Sequence, residues 1–205
     1  GHRAMNATAR TLARCVRLST VLAIIGSATV LAGCASPLPP YQSSFANQES
    51  LSRLPRNARF RVDPVGEPSA VESQVRAYRF TAPNGATWGS FLRDGIRSEL
   101  STSGNFDANA ADTIKVTLLR VQIADGHAHV SARFVVQQGE QTRYDKTLHA
   151  DGHWRTSVLG AIAVLAASSV ASTAFQQLLS RFFNDPDFVK APLGTLNLDA
   201  TSVLT

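Results

Sequence analysis

The sequence predicts an α/β chain of the α+β kind: a two-layer domain in which a mostly antiparallel sheet of four or five strands carries two helices on one face. Three observations predict it. Residues 113–154 alternate apolar and polar side chains in three runs, separated by Asp125-Gly126 and by a turn around Gly139, the chemistry of tight connections between antiparallel strands. Residues 88–100 repeat apolar side chains at helical spacing, and the 25 residues between Arg155 and Arg181 carry no charge. A helix with one apolar stripe and a helix with hardly any polar face both need a surface to lie on.

The chain begins outside that domain. Gly1–Ala4 precede Met5 and read as a cloning remnant or an over-extended start. Arg10, Arg14 and Arg17 then lead into an apolar run from Val21 to Ala32, short for a bilayer span and closed by Leu31-Ala32-Gly33-Cys34. This order resembles the signal and lipobox of a bacterial lipoprotein precursor. The resemblance implies removal of residues 5–33, a diacylglycerol on the Cys34 sulfur, and acylation of the new amino group. Ala35 stands where an aspartate would favour inner-membrane retention, so the resemblance implies delivery to the outer membrane, facing the periplasm. A covalent lipid on Cys34 is expected and no other cofactor.

Removal of the signal changes the charge argument. Of 20 lysines and arginines, the four arginines Arg3, Arg10, Arg14 and Arg17 precede Cys34, leaving 16 against 15 acidic residues, a mature net charge of +1. The basic pI belongs to the export signal and gives no reason to expect nucleic acid. Cys15 leaves with the signal and Cys34 is spent on lipid, so disulfide, zinc thiolate and cysteine-nucleophile chemistry are not expected.

Residues 34–57 carry Pro37, Pro39, Pro40 and Pro55 among polar residues and read as a tether, although Tyr41, Phe45, Leu51 and Leu54 could dock on the domain. The domain proper is expected over 58–190. Ala58–Val65 suits a first strand near a sheet edge, because Pro64 ends it. Ser73–Thr81 alternates with a phase slip at Ala77-Tyr78 and is read as a short second strand. Thr87 is the expected N-cap, after which Trp88, Phe91, Leu92, Ile96 and Leu100 form one helical stripe and Gly104 stops the helix. Three strands follow, Thr113–Ile123, His127–Gln137 and Gln141–Trp154. Folding about residue 125 sets Val116 against Phe134 and Leu118 against Ala132, and folding about residue 139 sets Phe134 against Tyr144 and Val130 against Leu148. A long helix from Ser157 to Phe183 closes the domain, ended by Asn184 and Pro186. Its length would suit a bilayer span, but Ser168, Ser169, Ser172, Thr173, Gln176 and Gln177 and the abundance of alanine favour burial in the domain or a partner. Residues 191–205 read as a mostly solvated tail.

The order of elements, with Phe91-Leu92-Arg93-Asp94-Gly95-Ile96-Arg97-Ser98-Glu99-Leu100 in the first helix and Phe182-Phe183-Asn184-Asp185-Pro186-Asp187-Phe188 after the last, resembles YajG-like and related small lipoproteins of Gram-negative envelopes. More distantly it resembles the auxiliary lipoproteins of envelope ABC transport systems. The resemblance implies an envelope accessory protein and supplies no catalytic motif.

Two features invite a functional reading. On the sheet face opposite the apolar one stand His127, His129, Ser131 and Arg133, then Thr147, His149, Asp151 and His153; the expected register sets His129 beside His149 and His127 beside Asp151. Imidazoles at alternate positions of one strand with a cross-strand carboxylate could hold zinc or copper, so His127, His129, His149 and Asp151 are candidate ligands, against the plainer reading of a solvated sheet face. The second feature is apolar surface. Leu119, Val121, Ile123 and Val135 are expected on that same open face, and the closing helix is apolar nearly all round. Leu159, Ile162, Val164, Ala167 and Phe175 are therefore candidate contacts for another envelope protein or a second copy of the chain. No nucleophile elbow, phosphate loop or dinucleotide fingerprint is present, so an enzyme is not expected. The expected function is that of an outer-membrane-anchored, periplasmic accessory subunit; the alternative is a binder of a metal ion or small apolar ligand.

Overall fold

A computed structural model of the chain describes residues 34–156 and 158–192. The signal segment 5–33, the four residues before it and the tail from 193 onward lie outside the described residues. In chain order the elements are β1 (Cys34–Pro37), α1 (Phe45–Leu51), β2 (Phe60–Val62), β3 (Ala70–Glu72), β4 (Gln74–Val75), β5 (Tyr78–Thr81), a 3-10 turn (Pro83–Gly85), α2 (Trp88–Thr102), β6 (Asp112–Ala124), β7 (His127–Gln138), β8 (Gln141–His153), α3 (Gly160–Phe183) and α4 (Pro186–Lys190).

Turn chemistry sets the main sheet. Gly126 and Gly139 take φ values of +83° and +58°, and each lets the chain reverse so that β6, β7 and β8 pair antiparallel as a meander. The free edge of β6 is covered by two short parallel strands in tandem, β2 along residues 112–114 and β3 along residues 120–122. The result is a five-stranded, mostly antiparallel sheet, as expected. A second, small sheet has the order β1-β5-β4. The phase slip at Ala77-Tyr78 is a turn: Arg76 adopts φ +55°, and the expected second strand is the β4–β5 hairpin.

Both long helices lie on one face of the main sheet. α2 starts at Thr87, whose hydroxyl accepts from the Ser90 N–H at 3.1 Å while the Ser90 hydroxyl accepts from the Thr87 N–H at 3.0 Å, a reciprocal cap. Gly89 follows because a side chain there would collide with the Val65 and Gly66 carbonyls. Between helices and sheet the core is dense in aromatic rings. Phe182 stacks on Phe134 with centroids 4.5 Å apart and touches Phe188 at 4.3 Å, and Phe91 meets Phe175 edge-on at 4.9 Å.

Two registers differ from the sequence expectation, and a β-bulge enters into each. An irregularity between Leu118 and Arg120 shifts the pairing, so Val121 faces Val130 and Ile123 faces Ala128, both inside the core. They are not on the open face; only Leu119 and Val135 remain there, half-buried. The β7–β8 turn pairs Gln138 with Gln141, so it centres between residues 139 and 140, and a shift between Val136 and Gln137 adds one residue more; together they set Phe134 against Lys146, Val136 against Tyr144 and Val130 against Ala150, two residues from the expected partners.

The segment 34–57 is not a tether. Ser44 caps α1, and Leu38, Leu51 and Leu54 are buried in the same core as the sheet residues. At the other end Ala191 is also buried, its carbonyl accepting from Arg143 Nη1 at 3.2 Å, so the solvated tail cannot begin there.

Candidate functional site

The start of the domain is fastened by one buried carboxylate. Glu99 lies on the apolar stripe of α2, is fully buried, and accepts from four groups of the 41–48 segment: Tyr41 Oη at 2.7 Å, the Ser44 N–H and Asn47 Nδ2 at 2.9 Å each, and Gln48 Nε2. Donors converging on a carboxylate supply what water would have supplied. Burial, then the neighbouring Glu99 carboxylate, pushes the Tyr41 phenol well above its ordinary pKa. Tyr41 packs its ring over Gly95, where a side chain would press on the ring. Sequence reading missed Glu99 as a hub. The available signal was an acidic residue at helical spacing from Leu92, Ile96 and Trp88, a position that faces inward.

Between residues 39–42 and the middle of α3 runs an open groove of about 410 Å³, with Phe91 at its floor, Leu165 on one rim and Ser168, Ser169, Ser172 and Gln176 along the helix side. Gln176 Nε2 donates to the Gln42 carbonyl at 3.0 Å, and the buried Ser172 Oγ has no hydrogen-bond partner among the described residues.

The candidate partner contacts on α3 divide. Leu159 and Ile162 are exposed, at 64% and 53%, and Val164 is half-buried; Ala167 and Phe175 are buried in the core and are withdrawn as contacts. The reason is that α3 is two helices in one. From Ala174 to Phe183 its bulky side chains form the core, whereas Ala163, Ala167 and Ala171 bring its first half so close to the sheet that a side chain at Gly152 would strike Val170. Ile162 and Leu165 of the first half, with Val158 and Leu159 just before it, are exposed, whereas Val164 and Val170 pack against the core. The helix is long and apolar enough to cross a membrane by length and composition, and here its C-terminal half covers the sheet.

The histidine face is real but rearranged. With the second bulge in place His129 faces Asp151, His127 faces His153 and Ser131 faces His149, not the expected His129–His149 and His127–Asp151 pairs. His129 Nδ1 lies 2.6 Å from Asp151 Oδ1, His149 Nε2 lies 3.8 Å from Oδ2, and the rings of His129 and His149 stack at 5.9 Å. The His129 hydrogen bond holds the Asp151 carboxyl below the usual carboxylate value against a smaller opposing effect of desolvation, with the charges of His129, His149 and His127 adding to it. Among the described residues no group of three or more His, Cys, Asp or Glu side chains is placed to hold a metal ion. His129 and Asp151 satisfy each other instead of converging on a shared point.

Cys34, the candidate lipidation residue, is exposed at the start of β1. No family model and no curated protein matches the chain. Solved structures do resemble it. A Xanthomonas campestris protein of the DUF330 family superimposes with a TM-score of 0.52 at 12% identity, covering 78% of this chain and 98% of its own. A Caulobacter crescentus CB15 protein described as a candidate lipoprotein gives a TM-score of 0.43 at 9% identity, covering 73% and 97%. A point variant of PelC from Paraburkholderia phytofirmans, a dodecamer, gives 0.34 at 17% identity, covering 62% and 93%. The two-layer domain therefore shares its fold with the Xanthomonas DUF330 protein.

Proposed function

We propose that the chain is an envelope lipoprotein, acylated on Cys34 and held on the periplasmic face of the outer membrane, whose domain acts as a non-catalytic accessory subunit for another envelope protein. The observation that carries the reading is the run Leu31-Ala32-Gly33-Cys34 after a basic stretch and a short apolar segment, with the folded domain starting at the next residues. The exposure of Cys34 suits an enzyme that must reach its sulfur. Ala35 favours the outer membrane by the resemblance to sorted lipoproteins. A non-catalytic role is supported by the sequence, in which no nucleophile elbow, phosphate loop or dinucleotide fingerprint stands.

The test is metabolic labelling with palmitate followed by membrane fractionation. The native chain should carry label and sediment with outer membrane, and Cys34→Ser should carry none and leave the membrane. An unlabelled native chain that still contains residues upstream of Cys34 overturns the reading. Mild detergent extraction should then yield a protein partner, or further copies of this chain, in fixed stoichiometry.

A second reading, binding of a small ligand, is favoured by the groove beside Phe91 and Leu165, where Ser172 Oγ lacks a partner among the described residues. Native mass spectrometry of the extracted protein separates the two, through a bound small molecule in place of a bound protein.

A further inference from the structure

We propose that the start of α3 and the two residues before it are a membrane-contact element, with Val158, Leu159, Ile162 and Leu165 entering the lipid surface beside the acyl anchor. The inference rests on the anchor reading for Cys34 and adds the orientation of the domain. These four side chains are 96%, 64%, 53% and 71% exposed, an apolar patch that ordinary solvated helices do not carry.

Two connections tie the patch to the anchored end of the chain. β1 and β5 are neighbours, and the Leu38 N–H donates to the Thr81 carbonyl at 2.9 Å, so their C-terminal ends meet, the strands run the same way, and Ala35 lies toward Tyr78. The turn just before Tyr78 holds Arg76, whose Nη1 donates to the Val158 carbonyl at 3.1 Å. Independently, Pro39 and Pro40 share a groove with Leu165. Three residues of extended chain separate Ala35 from Pro39, so four steps along the chain reach about 14 Å.

The pattern along the helix selects lipid over protein as the occupant. The exposed stripe is apolar at Leu159, Ile162 and Leu165, then becomes Ser169, Thr173, Gln177 and finally Arg181. A partner helix lying along α3 would call for a continuous stripe; a helix that dips only its N-terminal end into an interface needs the gradient observed. The patch is made of four side chains, few beside the roughly 20–30 residues that each side of a stable protein complex contributes. It suffices when acyl chains already hold the protein in place. Exposed Arg155, three residues before Val158 in the chain, suits lipid phosphates.

The experiment uses the acylated full chain, in which lipid occupies Cys34 and an introduced cysteine is the single thiol. An environment-sensitive fluorophore is placed by Ile162→Cys or, as the control, Thr173→Cys, and the protein is reconstituted into vesicles of phosphatidylcholine and phosphatidylglycerol with a spin label on the acyl chain. The expected result is a blue shift and loss of most of the emission at position 162, with position 173 unchanged. Vesicles that float with the protein while position 162 stays water-exposed, or is shielded but not quenched by the lipid label, overturn the proposal and leave the anchor standing. Protein that fails to float overturns the anchor reading and this one with it.

Discussion

At the scale of single residues, buried charge does the fastening. Glu99→Ala removes the acceptor for Tyr41, Ser44, Asn47 and Gln48 together and leaves buried donors without partners. The expected cost is about 3 kcal/mol or more in urea denaturation, with new protease cleavage between residues 38 and 54. Asp185 works at the other end, where it caps α4 and takes hydrogen bonds from Lys146 at 2.9 Å and Tyr144 at 3.1 Å. Burial pushes its carboxyl up, but the bonds from Lys146, the Asp187 N–H and Tyr144 outweigh burial and hold it below the ordinary value. A depressed carboxyl contributes stability that is present above its unfolded pKa of about 3.9 and is lost as pH falls through the folded one. Native protein should therefore lose stability as pH drops below about 4, and Asp185→Asn should flatten that limb when melting temperature is followed against pH.

At the scale of elements, α3 makes the sharpest forecast, because burial changes side twice within one turn. Ala167→Leu must overfill the contact with the sheet, at about 2 kcal/mol. Leu165→Asp, two residues earlier, should stay within about 0.5 kcal/mol of the native stability. Equal effects from the two substitutions, in chemical denaturation, would contradict the placement of the helix. Elements were also where sequence reading succeeded and failed most clearly. The Thr87 cap, the Gly104 stop and the meander with its Gly126 turn were legible because each rests on local backbone chemistry. The bulges at Leu119 and after Val136 were not, since an extra residue in a strand leaves the alternation on either side intact and only moves its phase. The first phase shift carried Val121 and Ile123 indoors, and the second, with a turn centred between residues 139 and 140, exchanged the partners of His129 and His127. An alanine-rich helix hides its orientation in the same way: alanine is tolerated on either face, so the inward stripe at 163, 167 and 171 emerges only from packing.

At the scale of the whole molecule, the domain begins about twenty residues earlier than composition suggested. Prolines at 37, 39, 40 and 55 gave the look of a linker, yet Leu38, Leu51 and Leu54 are 2%, 1% and 6% exposed. Long-range docking of a proline-bearing segment has no period to read. A chain shortened to start at Ala58 loses three buried leucines, each contributing about 2 kcal/mol, and should melt about 15 °C lower in calorimetry if it folds at all.

Strand pairing that starts right beside Cys34 would leave no slack in a protein acylated there as proposed. It would behave as a boss riveted to a wall, not as a buoy on a chain: it could neither swivel to search nor stretch across the periplasm. With a body about 40 Å across for its length, a partner of the protein anchored as proposed would have to come within that height of the membrane.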